Sequence, residues 1–470
     1  MNKTEKVTRI ETDYLIIGAG ATGMAFADTL LTETNAKMII VDKFQKPGGH
    51  WNHAYPFVTL HQPSSFYGVS STKLGHDTID ESGFNNGLLN LSTGTAINAY
   101  YEQVMSDRFL SSGNVQYFPS CEYLGDSKFR SILSGEIFEV LVSKKTVDTT
   151  HMKTKVPSTH VPNFSVSSEV KFIPINGLTN LKKTPDSYVI IGGGKTGIDA
   201  CLWLLENNVD PNMITWIISR DSWFTDRQNT QPTSEHLKYF LNDRACQLEA
   251  LEQAETISEL YELLEKKGVL LRLDKNVMPK MYHGATISQI ELEELKRIKN
   301  IVRLGRVKQI EKNSIQLAQG NIAINPNVVL VDCSANALNH SEMKPIFEKE
   351  TITIQSVRAG QLVFSAAFIA HIEATFPEDD FKKNDVCKEI PMPDKATDWI
   401  KVNALSFANQ NKWSEHKELT KWLYNNRLDG FSHLIGNIKP EEKELLEILA
   451  RISKSKKSAM EKLKQFAAEI

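Results

Sequence analysis

Two short apolar runs set the pattern of this chain. Tyr14-Leu-Ile-Ile ends at Gly18-Ala-Gly20-Ala-Thr22-Gly23, and an apolar, helix-periodic stretch, Met24–Leu31, follows. Tyr188-Val-Ile-Ile ends at Gly192-Gly-Gly194-Lys195-Thr196-Gly197 and runs into Ile198–Leu205. Each reads as a buried strand, a glycine turn and a helix. Each is followed by a second β-branched run, Lys37–Val41 and Ile214–Ile218. Further strands are predicted at Ile137–Val142, Lys145–Asp148 and Asn327–Asp332, with a hairpin over Ile301–Gln309 and Ser314–Ala323. Ser234–Lys267 and residues 385–470 read as helical. Pro440 with Glu441 and Glu442 marks a helix start, and Leu463, Phe466, Ala467 and Ile470 share one helix face.

The chemistry of the glycines follows from their spacing. The first permits the tight turn, the second lets the backbone approach a pyrophosphate, and the third lets helix pack on strand. The helix N-terminus then turns free N–H groups and the positive end of its dipole toward the phosphates. Asp42 stands about 20 residues past the first turn, where a carboxylate accepts from a ribose 2′-hydroxyl; Lys43 is next to it. Ser219 and Arg220 occupy the equivalent place after the second turn. Arg pairs with phosphate through a two-pronged fork, so the second site is expected to prefer the 2′-phosphate of NADP. Gly194-Lys195-Thr196 also looks like the end of a P-loop, but that motif needs glycine where Val189 stands. Two dinucleotide sites in one chain imply electron traffic: FAD held at the first, NADPH visiting the second.

Composition narrows the choice. The 54 Lys and Arg against 57 Asp and Glu leave a net charge of −3, which removes the electrostatic case for nucleic acid or an anionic membrane as main partner. Five separated cysteines without a Cys-x-x-Cys pair argue against a zinc site or redox dithiol, so no metal is expected. A polar N-terminus and no apolar run long enough to span a bilayer predict a cytoplasmic protein without a membrane span.

After Asp42 come Gly48-Gly49-His50-Trp51, Tyr55-Pro56, Pro63-Ser64 and Tyr67. This run resembles the signature of the class B flavoprotein monooxygenases, the flavin-containing and Baeyer–Villiger enzymes. The resemblance covers about residues 12–70 and 185–230. It implies an α/β fold of two Rossmann-like dinucleotide-binding domains, with the NADPH domain inserted into the FAD domain, plus a C-terminal helical region. The corresponding domains are 1–184 (FAD, first part), 185–326 (NADPH), 327–384 (FAD, return) and 385–470 (helical), the strand near 327–332 and the helix near 360–375 returning to the first unit. By the same resemblance Gly18, Gly20, Gly23 and Asp42 hold the ADP part of FAD. Gly49 and Trp51 lie near its pyrophosphate and flavin, with His61 and Gln62 under the ring. Gly192, Gly194, Thr196, Gly197 and Arg220 hold NADPH. The implied activity is oxygenation of a small molecule by molecular oxygen through a C4a-(hydro)peroxyflavin. No catalytic residue is singled out; His61, Gln62 and Asn176 are the polar groups considered, and each reads first as structural. The family's F-x-G-x-x-x-H stretch is replaced by Phe172–Asn180, which has no histidine, and its closing A-T-G by Asp332-Cys333-Ser334-Ala335. Two alternatives stay open: a flavin reductase or peroxide-forming oxidase, and a flavoprotein with a binding or sensing role centred on residues 385–470. Phe66, Tyr67, Phe84, Phe364 and Phe368 are the aromatic candidates for a substrate pocket, and the C-terminal helical face for a homodimer contact.

Overall fold

The computed structural model describes residues 7–335, 341–376 and 379–470. Of the two stretches expected as exposed loop, Asn336–Asn339 and Pro377–Asp380, the first and residues 377–378 of the second lie outside the described residues, whereas Asp379 caps and Asp380 opens a helix, Asp380–Val386.

Val7–Ile17 runs through the middle of an eight-stranded sheet. It is parallel to Met38–Val41 on one side and to Ile137–Asp148 on the other. Val115–Phe118 and Thr351–Thr353 extend the sheet in parallel on the two flanks. An antiparallel hairpin, Cys121–Gly125 with Lys128–Ser131, feeds the start of Ile137–Asp148. That strand is continuous where the sequence suggested two. Helix Ala21–Glu33 covers the sheet and buries Met24, Phe26 and Leu30 completely.

The second sheet repeats the arrangement. Ser187–Ile191 lies between Ile214–Ile217 and Val328–Asp332, with Asn300–Val302 and Lys171–Pro174 outside them, all parallel. In both sheets the strand after the glycine helix pairs on one side of the first strand, and a strand from much later in the chain pairs on the other. This is the doubly wound, Rossmann-like order, and it puts each glycine turn where the winding reverses. The chain leaves the first sheet after Asp148 and returns to it at Phe347–Glu348, the edge strand paired antiparallel with Thr351–Thr353. Helix Leu362–Thr375 then packs on Ala21–Glu33. The second unit is therefore inserted into the first.

One expectation is corrected. Val328–Asp332 does not return to the first unit; it pairs in register with Ser187–Ile191 and Lys171–Pro174. All five of its residues are buried. A strand apolar on both faces suits the middle of either parallel sheet, so its pattern carries no address. The return is made by the shorter pair Phe347–Glu348 and Thr351–Thr353, of which Thr351–Thr353 lies parallel to Ile137–Asp148.

The predicted helix over Ser234–Lys267 is two, Leu237–Gln253 and Ile257–Lys266, the second capped by Thr256 accepting from the Glu259 N–H. The last helix, Lys443–Glu469, starts three residues after Pro440. Its Leu463 and Phe466 are fully buried against Leu251, Leu264 and Trp399 of the same chain, so this face docks internally. Phe364 and Phe368 are core, packed on Trp413 and Trp422, and do not face a ligand. All five cysteines are buried and unpaired. Among the described residues no helix is long and apolar enough to cross a membrane, and no cluster of three or more His, Cys, Asp or Glu is placed to hold a metal ion.

Candidate functional site

The two glycine turns are built alike. Gly18 and Gly192 have φ of +105° and +133°, a region that disfavours any side chain. A Cβ on Gly23 would lie 2.1 Å from the Gly18 carbonyl oxygen, and one on Gly197 would lie 2.0 Å from that of Gly192. The third glycine of each motif thus lets the helix sit directly on the turn. Gly20 and Gly194 flank the helix N-termini, and no side chain caps either end. At Gly194 a Cβ would meet nothing within 4 Å; it faces open space. Trp216 steadies the second turn by donating its indole N–H to the Gly192 carbonyl (2.8 Å).

Gly48 and Gly49 close the first turn from above. The Gly48 N–H donates to the Ala19 carbonyl (2.8 Å), and a Cβ on Gly49 would come within 2.9 Å of the Gly20 Cα. Two backbones approach there with no side chain between them. Thr22 donates its hydroxyl to the Thr149 carbonyl (3.4 Å). Asp42 accepts from the Ala19 N–H (2.5 Å) and the Phe44 N–H (2.7 Å). Burial raises its pKa, and those two N–H groups oppose the shift. The Lys43 ammonium rests 4.9 Å from the Phe44 ring centre.

Both turns open on one cavity with a volume of about 2210 Å³. Its wall includes Gly18, Gly20, Thr22, Asp42, Lys43, Gly49, His50, Trp51, His61 and Gln62 from the first unit. From the second come Gly192, Gly194, Lys195, Thr196, Ser219 and Arg220. Of the residues expected to hold the two dinucleotides, Gly23 and Gly197 do not line it; they lie beneath the turns. Asn176 does not line it either: its amide donates to the His53 and Ala54 carbonyls (3.4 and 3.1 Å) and holds the loop that carries Tyr55. Of the aromatic candidates, Phe66 and Tyr67 reach the cavity and Phe84 does not.

Between the turns the wall is ordered by hydrogen bonds. Trp51 donates its indole N–H to the Tyr67 hydroxyl (2.7 Å). His61 Nδ1 accepts from the Thr286 N–H (3.2 Å), and the His61 carbonyl accepts from Arg227 Nε (3.1 Å). With Nδ1 accepting, the neutral ring carries its proton on Nε2. Burial lowers the His61 pKa to about 3, helped by the positive charges of Lys195 and Arg227, and burial lowers that of His50 to about 4. Both imidazoles are neutral near pH 7. Tyr55, on the first unit's loop, donates to the Asp199 carboxylate, which also pairs with Lys195 one helical turn before it. This contact ties the helix of the second turn to the wall of the first.

Several of these groups escaped the sequence reading. Tyr55 was visible within Tyr55-Pro56, and Asp199 stands four residues after Lys195; spacing alone does not join them. Arg220 brings the largest surprise. Its guanidinium makes two hydrogen bonds to Asp394 (2.9 and 2.6 Å), and His283 Nε2 approaches the same carboxylate (3.1 Å). The Arg220 fork holds the Asp394 carboxyl well below the usual carboxylate range.

No family model matches the chain. It is 45% identical over 426 residues to the uncharacterized protein Rv2000 of Mycobacterium tuberculosis and, equally, to the uncharacterized protein Mb2023 of Mycobacterium bovis; the match covers 91% of this chain and 79% of each relative. The chain belongs to the family of these mycobacterial proteins. Among solved structures it is similar to the closed form of cyclohexanone monooxygenase, with a TM-score of 0.49, 13% identity, and 90% of this chain and 93% of that one covered. It is similar to cyclohexanone monooxygenase from Rhodococcus sp. Phi1 bound to NADP+ (TM-score 0.48, 13% identity, 78% and 84% covered). Bacillithiol disulfide reductase of Bacillus cereus gives a TM-score of 0.44 at 13% identity, with 78% and 99% covered.

Proposed function

We propose that the chain is a flavoprotein oxidoreductase that holds FAD at the Gly18–Gly23 turn, takes NADPH at the Gly192–Gly197 turn, and acts as a monooxygenase on a small molecule with molecular oxygen as co-substrate. The observation that carries this reading is the shared cavity: two uncapped helix N-termini, each under a glycine turn, open on one space. That space, about 2210 Å³, is roughly twice the upper end of ordinary small-ligand pockets, about 1,000 Å³. It suits two large ligands side by side better than one small one.

The residues at the first turn fit FAD. The close approach of Gly20 and Gly49 leaves a cradle that a Cβ would fill, as a pyrophosphate requires. Asp42, at the end of the Met38–Val41 strand, offers an acceptor for ribose hydroxyls. When bound, FAD supplies two-electron chemistry: it takes a hydride and passes the electrons on. The chain supplies orientation around it. Trp51, fixed by Tyr67, and His61, fixed by Thr286 and Arg227, form a rigid, neutral wall. The Tyr55–Asp199–Lys195 contact keeps the two turns in a constant relation, on which hydride transfer depends.

Purified protein tests this directly. The yellow chromophore is released and identified, and NADPH oxidation is followed together with oxygen uptake, peroxide and oxygenated product. Bound FAD with product formed in step with NADPH supports the full proposal. Bound FAD with all electrons recovered as peroxide removes the monooxygenase step and leaves an oxidase. A chain that binds neither dinucleotide overturns the reading.

A further inference from the structure

We propose that Asp394 is a specificity-determining residue of the second dinucleotide turn: by holding Arg220 in a two-pronged pair, it keeps the site from selecting strongly for a ribose 2′-phosphate. This rests on the reading of that turn as a nicotinamide dinucleotide site and goes beyond it, to the choice between NADPH and NADH.

The residue after the second strand of such a unit decides that choice, an acid favouring the ribose hydroxyls and an arginine the 2′-phosphate. Here both chemistries occupy one place. Arg220 follows the Ile214–Ile217 strand and lines the cavity, and Asp394 lines it beside Arg220. The two are joined at 2.9 and 2.6 Å. Their side chains are each 30% exposed, so solvent reaches the pair and screens it in part, and a phosphate can compete for the guanidinium. It cannot dismiss the carboxylate. The Asp394 and Lys395 N–H groups both donate to the Asp398 carboxylate (2.8 Å each). The Asp394 carbonyl accepts from the Tyr282 N–H (3.1 Å), and the Ala396 N–H donates to the Lys280 carbonyl (3.1 Å). The backbone around Asp394 is therefore fixed, and its negative charge stays within reach of whatever Arg220 binds. For a 2′-phosphate dianion that is repulsion; for a 2′-hydroxyl it is a second acceptor. Specificity arises from the repulsive partner as much as from the attractive one.

The test uses ligand binding, so it does not depend on turnover. Titration calorimetry measures 2′,5′-ADP and 5′-ADP on the flavin-loaded protein, wild type and Asp394→Asn. The wild type is expected to show only a small preference for 2′,5′-ADP. Asp394→Asn keeps the side-chain shape, removes the charge, and is expected to raise that preference by about tenfold, the factor that a modest change in one charge contact produces. Arg220→Ala in the Asp394→Asn background is expected to erase the gain. Asp394→Ser is measured alongside, with a melting curve for each variant, so that a folding defect in one does not stand in for the result. If both nucleotides bind and their ratio is the same in wild type and in both Asp394 variants, the proposal fails while the site reading survives. If the wild type binds neither nucleotide, the site reading itself fails.

Discussion

The two glycines that flank the start of helix Lys195–Glu206 do opposite jobs, and one alanine at each separates them. At Gly197 the new Cβ would lie 2.0 Å from the Gly192 carbonyl oxygen. The helix must move by about 1 Å to restore an ordinary contact, and overpacking of this kind costs about 3 kcal/mol. Alanine returns about 1 kcal/mol in helix propensity, so a net loss of roughly 2 kcal/mol is expected. For a unit of roughly 150–250 residues that lowers the melting temperature by about 4–8 °C. At Gly194 the Cβ meets nothing within 4 Å, and the backbone there is extended. The only cost is the weaker N-cap, about 0.5–1 kcal/mol, or about 1–4 °C. That methyl, however, projects where a pyrophosphate would approach. Losing one hydrogen bond to a charged phosphate costs about 1.5–3 kcal/mol, at least about tenfold in affinity. The assay is a melting curve without nucleotide, paired with titration by NADP+. Gly197→Ala should melt early, while Gly194→Ala should melt almost normally and bind poorly. Equal melting losses, or wild-type NADP+ affinity in Gly194→Ala, would refute the assignment of the open glycine to ligand approach.

Three further outcomes are expected. Asp42→Ala strands the Ala19 and Phe44 N–H groups at about 1–3 kcal/mol each and should lower the 450 nm to 280 nm absorbance ratio; a variant purified with full flavin content counts against the ribose role. His61 and His50 titrate at about 3 and about 4 in the fold, whereas in the unfolded chain they take up protons near pH 6.5. Their contribution to stability is therefore complete above pH 6.5 and is lost as pH falls toward 4, by about 1.4 kcal/mol per pH unit for each. His61→Gln should flatten the drop in melting temperature between pH 6.5 and 4, and an unchanged slope would show that His61 is not held neutral. Phe466→Ala should cost about 3–5 kcal/mol with no change in mass by light scattering, since that ring packs inside its own chain; dissociation of a dimer at constant melting temperature would instead make it a subunit contact.

What could be read from the sequence is whatever a residue needs locally. A glycine turn declares itself because positive φ and the absence of a Cβ are requirements of that position alone, and so both turns, their helices and the strands beside them were legible. Ile137–Asp148, read as two strands, and Val328–Asp332 were legible from their own β-branched and apolar runs. The address of Val328–Asp332 was not, because an all-apolar strand satisfies either sheet and only the register with Ser187–Ile191 selects one. The aromatic residues failed similarly: Phe364 and Phe368 carry no sign that Trp413 and Trp422 will cover them.

Charge behaves differently from backbone shape. Arg220 reads locally as a phosphate ligand, since its fork and its place after a strand fit that use. The residue that sets its actual availability lies 174 positions away, in a Pro-rich segment with no periodicity to announce it. Tyr55 and Asp199, joined across 144 positions, make the same point within the cavity wall. In such a fold, local pattern specifies where a dinucleotide can lie, because the turn is made by a few consecutive residues. Which dinucleotide it prefers depends on the sum of charges around the ribose, and distant segments contribute to that sum. A charge read from one segment alone, as at Arg220, gives the sign of the attraction but leaves out the carboxylate that opposes it.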